Sequence, residues 1–226
     1  MITLYDLAFD KDLRPSPFCW RAKLALKHKG LTWRDEPCGF TEKNKIAFAG
    51  STTYPVIHDG TKVVKDSWVI AQHLDSVYPD KPLMPNPALA MFVNGWADGT
   101  VHVALFPNIV SDLMDRVRPQ DKAYMVESRG KRLGTTDFAT LQSNAREKGV
   151  AAFRAALEPA RRVLGDQKFL SGDSPAYPDY ILFGTFLWPR TISPLELLDK
   201  DDVVYAWRER MLDQFDGFGR KAPAAA

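Results

Sequence analysis

Ser16 stands at the most informative point of the sequence, within Ser-Pro-Phe-Cys at residues 16–19. A polar loop precedes it, and Pro17 suits the first turn of a helix. Backbone N–H groups at a helix start lack partners, and the helix dipole adds positive potential there. A hydroxyl at that end can donate a hydrogen bond to an anion, and a thiolate is an anion that such a site favours. The pattern predicts either a thiolate-stabilising serine or one that only caps the helix.

A second polar pair, Asp66 and Ser67, stands where another helical pattern begins. Ser67 is a good N-cap candidate, because a serine hydroxyl accepts hydrogen bonds from the free N–H groups of a first turn. The same hydroxyl and backbone N–H groups can also bind a carboxylate. The pair therefore indicates either plain helix capping or the binding of an anionic ligand.

The chain contains two cysteines, Cys19 and Cys38, and four histidines. Two cysteines exclude a disulfide framework and indicate a reducing compartment. Because position 16 is a serine, Cys19 lacks the partner that dithiol redox chemistry needs, and we interpret it as a small buried residue. The histidines show no metal-like spacing with one another or with the cysteines, so no metal site is predicted.

Length and composition are those of an ordinary globular protein, with 226 residues, 45% hydrophobic and 26% charged. This length accommodates one large domain or two modest ones with a sizeable core. A net charge of +2 gives no electrostatic case for nucleic acid or an anionic membrane as the main partner. The densest basic cluster, Arg129 with Lys131 and Arg132, is typical of a solvated helix end.

The N-terminal residues lack the basic segment and apolar run of a signal peptide. No stretch approaches 18 uninterrupted apolar residues, which argues against a membrane span. The sequence therefore predicts a cytoplasmic protein with no membrane partner.

The first 80 residues mix strand and helix patterns in an order that fits a small mixed sheet covered by helices, as in the thioredoxin fold. Asp59-Gly60 is the predicted two-residue turn of a hairpin. The other predicted elements are strands at 2–7 and 31–36, a helix from Pro17 that ends before Gly30, a short helix at 42–48 and a helix from Ser67.

Four prolines within residues 79–87 exclude a helix or central strand there and predict a linker between domains. Only helical patterns follow, near 88–117, 120–132, 137–164, 179–188 and 202–215. We therefore predict an α/β thioredoxin-like domain followed by an all-α helical-bundle domain. The predicted boundaries are 1–80 for the first domain, 81–88 for the linker, 89–218 for the helical domain and 219–226 for a frayed tail.

The motif at 16–19 resembles the Cys-Pro-Phe/Tyr-Cys motif of glutaredoxin-type proteins, with serine in place of the nucleophilic cysteine. Ser-x-x-x-Trp-Arg at 16–21 is similar to the helix start of serine-type glutathione transferases, and Tyr-Pro-Val at 54–56 and Asp-Ser at 66–67 match further motifs of that superfamily. Gly-Phe-Thr at 39–41, with the motifs on either side, extends the resemblance to the bacterial lignin β-etherases and their fungal relatives.

The resemblance implies an enzyme that uses glutathione as co-substrate. Its thiol would attack an apolar, aromatic electrophile by conjugation or ether cleavage, after Ser16 lowers the thiol pKa by hydrogen bonding. A homodimer and a role in detoxification are also implied. The implied glutathione-binding residues are Tyr54, Pro55, Val56, Asp66 and Ser67, and the expected lining of the electrophile pocket is Phe9, Trp20, Phe106 and Trp188.

Two other functions remain open. One is a non-catalytic protein that binds apolar ligands on the same scaffold, and the other is a thiol–disulfide or deglutathionylating enzyme. The sequence also departs from the family pattern in two places. Residues 49–53 differ from the β-etherase version, and the helix start at 176–179 keeps the family's aspartate but lacks its capping hydroxyl.

Overall fold

The first part of the chain contains the four strands of a sheet and two α-helices. The computed structural model describes residues 1–148 and 150–225. The elements of the first half are β1 (Ile2–Leu7), α1 (Pro17–Lys29), β2 (Trp33–Cys38), β3 (Val56–Asp59), β4 (Lys62–Lys65) and α2 (Ser67–Val77), with 3₁₀ turns at Asp10–Asp12 and Lys43–Ala49.

The four described strands form one mixed sheet in the order β2-β1-β3-β4. β1 runs parallel to β2 and antiparallel to β3, and β3 and β4 form the predicted hairpin. Asp59 pairs with Lys62, so the two loop residues are Gly60 and Thr61, one position later than predicted. Gly60 takes φ +60°, the left-handed region that favours glycine at such a turn.

Helix α1 begins and ends where the sequence predicts. Ser16 is its N-cap, Pro17 its first residue, and Gly30, at φ 70°, its C-cap. The Leu31 N–H then bonds to the Leu26 carbonyl at 3.0 Å, so residue 31 completes the helix end. For this reason β2 starts at Trp33, two residues later than predicted.

The remainder of the described chain is helical. Its α-helices are α3 (Pro87–Trp96), α4 (His102–Leu105), α5 (Val110–Arg116), α6 (Pro119–Leu133), α7 (Phe138–Glu147), α8 (Ala151–Ala156), α9 (Glu158–Asp166), α10 (Tyr177–Ile192), α11 (Val203–Leu212) and α12 (Gln214–Lys221). A π-helical turn at Ala97–Val101 and a 3₁₀ turn at Phe106–Asn108 divide the first long helix that the sequence predicts. The predicted fold class, a thioredoxin-like half followed by an all-helical half, is confirmed.

The two halves meet where α1 packs against α10. Gly184 makes this approach possible, because a Cβ atom there would lie 2.6 Å from the Pro17 carbonyl oxygen. Arg21 is buried in the same interface and donates to Asp98 at 2.7 Å and to Asn94 at 3.0 Å. The start of α1, with Ser16, is therefore held firmly by the helical half. The domain boundaries themselves stay a prediction.

A second connection holds the loop after β2. Arg118 of the helical half bonds to Glu42 and to Asp121, both at 2.9 Å. Asp121 in turn accepts from the Thr41 N–H at 2.8 Å, and Glu42 accepts from the Gly39 N–H at 2.6 Å. This network fixes the loop at 39–43, whose aromatic and basic side chains face the space between the two halves.

Candidate active site

A cavity of about 460 Å³ lies between the sheet half and the helical half. Its lining from the first half consists of Leu7, Pro15, Ser16, Pro17, Phe18, Phe40, Lys43, Thr52, Thr53, Tyr54, Pro55, Asp66 and Ser67. Its lining from the helices consists of Asp98, His102, Phe106, Leu113, Tyr124, Arg129, Arg132 and Trp188.

Ser16 faces this cavity from the start of α1. Its Oγ accepts a hydrogen bond from the Cys19 N–H at 3.2 Å, so the serine does cap the helix. An accepting hydroxyl keeps its own hydrogen available for donation. The two interpretations of Ser16 are thus compatible, because one hydroxyl can satisfy the helix and donate to an anion in the cavity.

Arg14, two residues before Ser16, points elsewhere. Its guanidinium bonds to Asp6 at 2.9 Å and to Asp12, and the neighbouring Lys23 also pairs with Asp6, at 2.5 Å. Arg14 does not line the cavity. Of the two side chains, Ser16 alone is therefore available to a ligand in the cavity.

Both cysteines are buried free thiols. Burial and the nearby Asp6 carboxylate raise the pKa of Cys19 well above its usual value. Burial raises the pKa of Cys38 to about 11. Because a thiolate is the reactive form, neither cysteine is an effective nucleophile near neutral pH.

The second polar pair lies at the start of α2, beside a cis peptide bond between Tyr54 and Pro55. Asp66, not Ser67, is the N-cap: its Oδ1 accepts from the N–H groups of Trp68 at 2.9 Å and Val69 at 3.2 Å. The predicted cap at Ser67 is thus wrong by one residue, because Asp66 adopts φ 74° and its side chain reaches the first turn. Ser67, the first helical residue, keeps its hydroxyl on the cavity lining.

Of the glutathione-binding residues that the resemblance implies, all but one line the same cavity as Ser16. The exception is Val56, which is fully buried at the start of β3 and pairs with Tyr5 and Lys65 across the sheet. It follows directly on Pro55, which lines the cavity.

Two of the four residues predicted to line the electrophile pocket form an aromatic wall of the cavity. Phe106 and Trp188 stack with ring centroids 5.4 Å apart, and both line the cavity. Phe9 and Trp20 do not line it. Phe9 is buried against Phe40, and the Trp20 ring lies 5.7 Å from Phe218 while its Nε1 donates to the Arg14 carbonyl. Both belong to the core, so the prediction of these two as pocket residues is corrected.

Several lining residues were not identified from the sequence as functional. Phe40 and Tyr124 add aromatic surface, and Lys43 adds a positive charge. Arg129 and Arg132 also line the cavity. Arg129 is half-buried, so the interpretation of the cluster as a solvated helix end is wrong for this residue, whereas Arg132 is exposed in the last turn of α6, as predicted. A helical wheel drawn from the sequence indicates that the two arginines point the same way, because they lie three residues apart on one helix face. Lys131 lies on a different face of the same helix.

His102 is a buried polar residue beside the Trp188 ring. Its Nε2 lies 2.8 Å from the Thr185 hydroxyl, and its Nδ1 lies 3.6 Å from Asp98. Asp98 is paired with Arg21 at 2.7 Å. Burial lowers the pKa of His102 to about 3, and the neighbouring guanidiniums of Arg21 and Arg132 contribute to this shift. The imidazole is therefore neutral at physiological pH.

The lowered pKa of His102 predicts an acid-sensitive stability. An unfolded histidine binds a proton near its ordinary pKa, whereas the folded one does not until about pH 3. The stabilisation is complete above the unfolded pKa and is lost as pH falls toward the folded one. Between about pH 7.5 and about pH 4.5, this group should lower the free energy of unfolding by about 2 to 3 kcal/mol.

Urea denaturation of wild type and His102→Gln at the two pH values measures this effect. Glutamine can keep the hydrogen bond to Thr185 but does not titrate, so the variant should lose less stability between neutral and acidic pH. An equal acid sensitivity in both proteins would show that His102 does not contribute to it.

The described residues contain no helix long and apolar enough to cross a membrane. Nor does any group of three or more histidine, cysteine, aspartate or glutamate side chains within 1–148 and 150–225 form a candidate metal site.

Comparisons with known proteins agree with the fold. Among curated proteins, glutathione S-transferase U22 of Arabidopsis thaliana is 25% identical over 182 residues, which cover 78% of this chain and 71% of the relative. Among solved structures, a glutathione S-transferase of Ceriporiopsis subvermispora in complex with glutathione has a TM-score of 0.76 at 23% identity, covering 98% of this chain and 94% of that one. Glutathione transferase GSTFuA3 of Phanerochaete chrysosporium has a TM-score of 0.75 at 24% identity, covering 96% and 92%.

Family models match both halves of the chain. The glutathione S-transferase N-terminal domain matches residues 15–77, and the glutathione S-transferase C-terminal domain matches residues 88–218. The second match alone spans more than half of the sequence. With the mixed sheet, the helical half and the cavity between them, these matches show that the chain belongs to the glutathione S-transferase family.

Proposed function

We propose that this protein binds reduced glutathione in the cavity and activates its thiol, through a hydrogen bond from Ser16, for attack on an aromatic electrophile. The observation that carries the proposal is the meeting of Ser16, Pro55 and Ser67 around one cavity. These residues come from three separate elements and bring two hydroxyls and two helix N-termini to the same space.

The start of α2 would bind the γ-glutamyl end of glutathione. The Ser67 hydroxyl and the N–H groups of a helix N-terminus suit its carboxylate. The Oδ1 atom of Asp66 holds the helix, which leaves Oδ2 to bind the ammonium group. Tyr54, Pro55 and Val56 would contact the cysteinyl residue, and the Lys43 ammonium, 4.7 Å above the Tyr54 ring, would bind the glycyl carboxylate.

Ser16 would then act on the cysteinyl sulfur. A donated hydrogen bond stabilises the thiolate and lowers the thiol pKa from its free value of roughly 8.5. The thiol proton leaves to solvent, and the sulfur forms a bond to the electrophilic carbon. The leaving group departs with the bonding electron pair, as the halide of a haloarene in conjugation or as the oxygen of an aryl ether in ether cleavage.

The aromatic wall supports an aromatic second substrate. Phe106 and Trp188 are stacked, and Phe40 lies beside Tyr124 with ring centroids 6.3 Å apart. Such surfaces favour a planar ring by offset stacking or edge contact. We therefore place the electrophile between these side chains and assign the chain to the serine-type transferases that resemble the β-etherases.

The buried thiol of Cys19 argues against thiol–disulfide chemistry. This thiol is buried and its pKa is raised, whereas reactive cysteines lie in exposed, electropositive surroundings.

We also propose a homodimer. Met91 and Phe92 on α3 are each 64% exposed, and Val103 on α4 is 57% exposed, which is apolar surface that a second copy can cover.

Calorimetric titration with reduced glutathione tests the binding site. We expect saturable binding at one site per chain, and Ser67→Ala should weaken the affinity by about tenfold because a hydrogen bond to a carboxylate is lost. Ser76→Ala, at an exposed position of the same helix outside the cavity lining, is the control. No binding heat, together with failed competition against an immobilised glutathione, would contradict the proposal and leave an apolar-ligand-binding protein as the alternative.

A further inference from the structure

Two arginines on α6 face the cavity close to its aromatic wall. Arg129 and Arg132 lie three residues apart, so α6 presents both on one face. The Arg129 guanidinium lies 5.7 Å from the Phe40 ring centroid, and that of Arg132 lies 5.4 Å from the Phe106 ring centroid. Both charges therefore lie over the rings between which the electrophile is placed.

Neither arginine has a carboxylate partner in the part of the chain that the structure describes. Arg129 donates only to the Ser128 hydroxyl, at 3.0 Å. Other arginines of the helical half are paired with acids, namely Arg118 with Glu42 and Asp121, Arg146 with Asp112, Arg154 with Asp199, Arg161 with Asp202, and Arg208 with Glu196. Arg190 and Arg210 donate to backbone carbonyls instead, whereas Arg129 and Arg132 direct their charges toward the cavity.

Neither of the two acids on the cavity lining pairs with these arginines. Asp98 pairs with Arg21, and Asp66 caps α2. Lys131, between the two arginines in sequence, pairs with Glu127 on the exposed face of α6. Burial and the like charge of Arg132 lower the pKa of Arg129, so the protonated forms of the two side chains disfavour each other. An anion bound between them would relieve this repulsion.

We propose that Arg129 and Arg132 form a specificity subsite for a carboxylate on the aromatic electrophile, so that the preferred second substrate is an aromatic acid. This inference rests on the proposed function, since it places the electrophile beside a bound glutathione. Arginine suits the role because its planar guanidinium binds a carboxylate with two parallel hydrogen bonds and also stacks on aromatic rings.

Steady-state kinetics with a matched pair of electrophiles test the subsite. A chlorodinitrobenzoate carries the carboxylate, and the corresponding chlorodinitrobenzene does not. The double variant Arg129→Gln/Arg132→Gln should lower kcat/KM for the benzoate by about 10- to 100-fold, since each charged hydrogen bond is worth a substantial part of that factor. The loss for the neutral compound should be much smaller. Lys131→Gln, on the exposed face, should leave both values unchanged.

Direct binding separates this inference from the proposed function. Quenching of tryptophan fluorescence by a dinitrobenzoate and by a dinitrobenzene, measured with glutathione-free protein, needs no turnover. We expect tighter binding of the benzoate by wild type and loss of that preference in the double variant. If glutathione fails to bind but this preference is found, the proposed function fails and the anion subsite stands.

Two results would overturn the subsite. One is an equal change for the acidic and the neutral compound, in kinetics and in binding. The other is a rise in the KM for glutathione with no change for the benzoate, because the arginines would then bind a carboxylate of glutathione instead.

Discussion

Ser16→Ala is expected to lower kcat/KM for glutathione conjugation by about 10- to 100-fold near pH 6.5, with a much smaller loss near pH 9. The reason is the lost hydrogen bond to the thiolate. If its removal raises the pKa of the bound thiol by about one to two units, the reactive fraction falls in proportion at acidic pH. Above the raised pKa the thiol ionises without help, so the variant approaches the wild-type rate.

The controls separate this chemical effect from the structural role of the same hydroxyl. Ser16 caps α1 through its bond to the Cys19 N–H, so alanine should also cost about 1 kcal/mol of stability. Ser16→Thr retains the hydroxyl and should retain most of the activity. Denaturation curves of both variants show how much of each protein is folded under the assay conditions. A loss for Ser16→Ala that is the same at every pH would contradict thiolate stabilisation.

Asp179→Ala is expected to cause the largest loss of stability, about 3 kcal/mol or more. This carboxylate is fully buried at the start of α10. It accepts hydrogen bonds from three backbone N–H groups and from the Trp207 indole N–H, and the backbone donors are those of Leu170 at 2.8 Å and of Ser171 and Ala176 at 3.2 Å each. Alanine would leave all four donors without this acceptor, and three of them belong to buried residues, where each unsatisfied donor is costly.

Chemical denaturation measures this loss, and the chain offers a matched control. Asp137 also caps a helix, by accepting from the Thr140 N–H, but it is solvent-exposed. Asp137→Ala should therefore cost much less, because water can replace its carboxylate. Asp179→Asn keeps an acceptor oxygen and should fall between wild type and Asp179→Ala. A similar loss for Asp137→Ala and Asp179→Ala would show that burial of the network does not matter.

The role of Asp179 also explains why the missing hydroxyl at position 176 is tolerated. The family's capping pattern pairs a hydroxyl at the N-cap with an acid three residues later. Ala176 provides no side-chain acceptor, yet its own N–H bonds to Asp179 at 3.2 Å. The acid joins the helix start to the loop before it and to Trp207, so most of the hydrogen bonding remains without the hydroxyl.

Local chemistry made part of the site predictable from the sequence. Ser16 and Pro17 mark a helix start, and Gly30 marks its end, because these residue types satisfy backbone groups in a specific way. The same residue preferences predict that α2 starts at Asp66 and Ser67, but they favour Ser67 as the N-cap, whereas the structure has Asp66 there. Both residue types cap helices, and only the backbone conformation of Asp66, φ 74°, decides between them.

The opposite wall of the cavity was less predictable, because it depends on how the helices pack. Phe9 and Trp20 are as aromatic as Phe106 and Trp188, yet only the second pair lines the cavity. The sequence does not show which face of α6 turns inward, so it does not predict that Arg129 lines the cavity. Charge alone predicts a solvated face, whereas the tertiary arrangement places this guanidinium over an aromatic ring.

The most direct measurement of the central claim is the thiol pKa of glutathione bound to this protein. The ultraviolet absorbance of the thiolate, recorded against pH with wild type and with Ser16→Ala, gives this value without any electrophile. We predict a bound pKa about one to two units below the free value of roughly 8.5 in wild type, and a return toward that value in the variant. A bound pKa equal to that of free glutathione in wild type would contradict activation by Ser16.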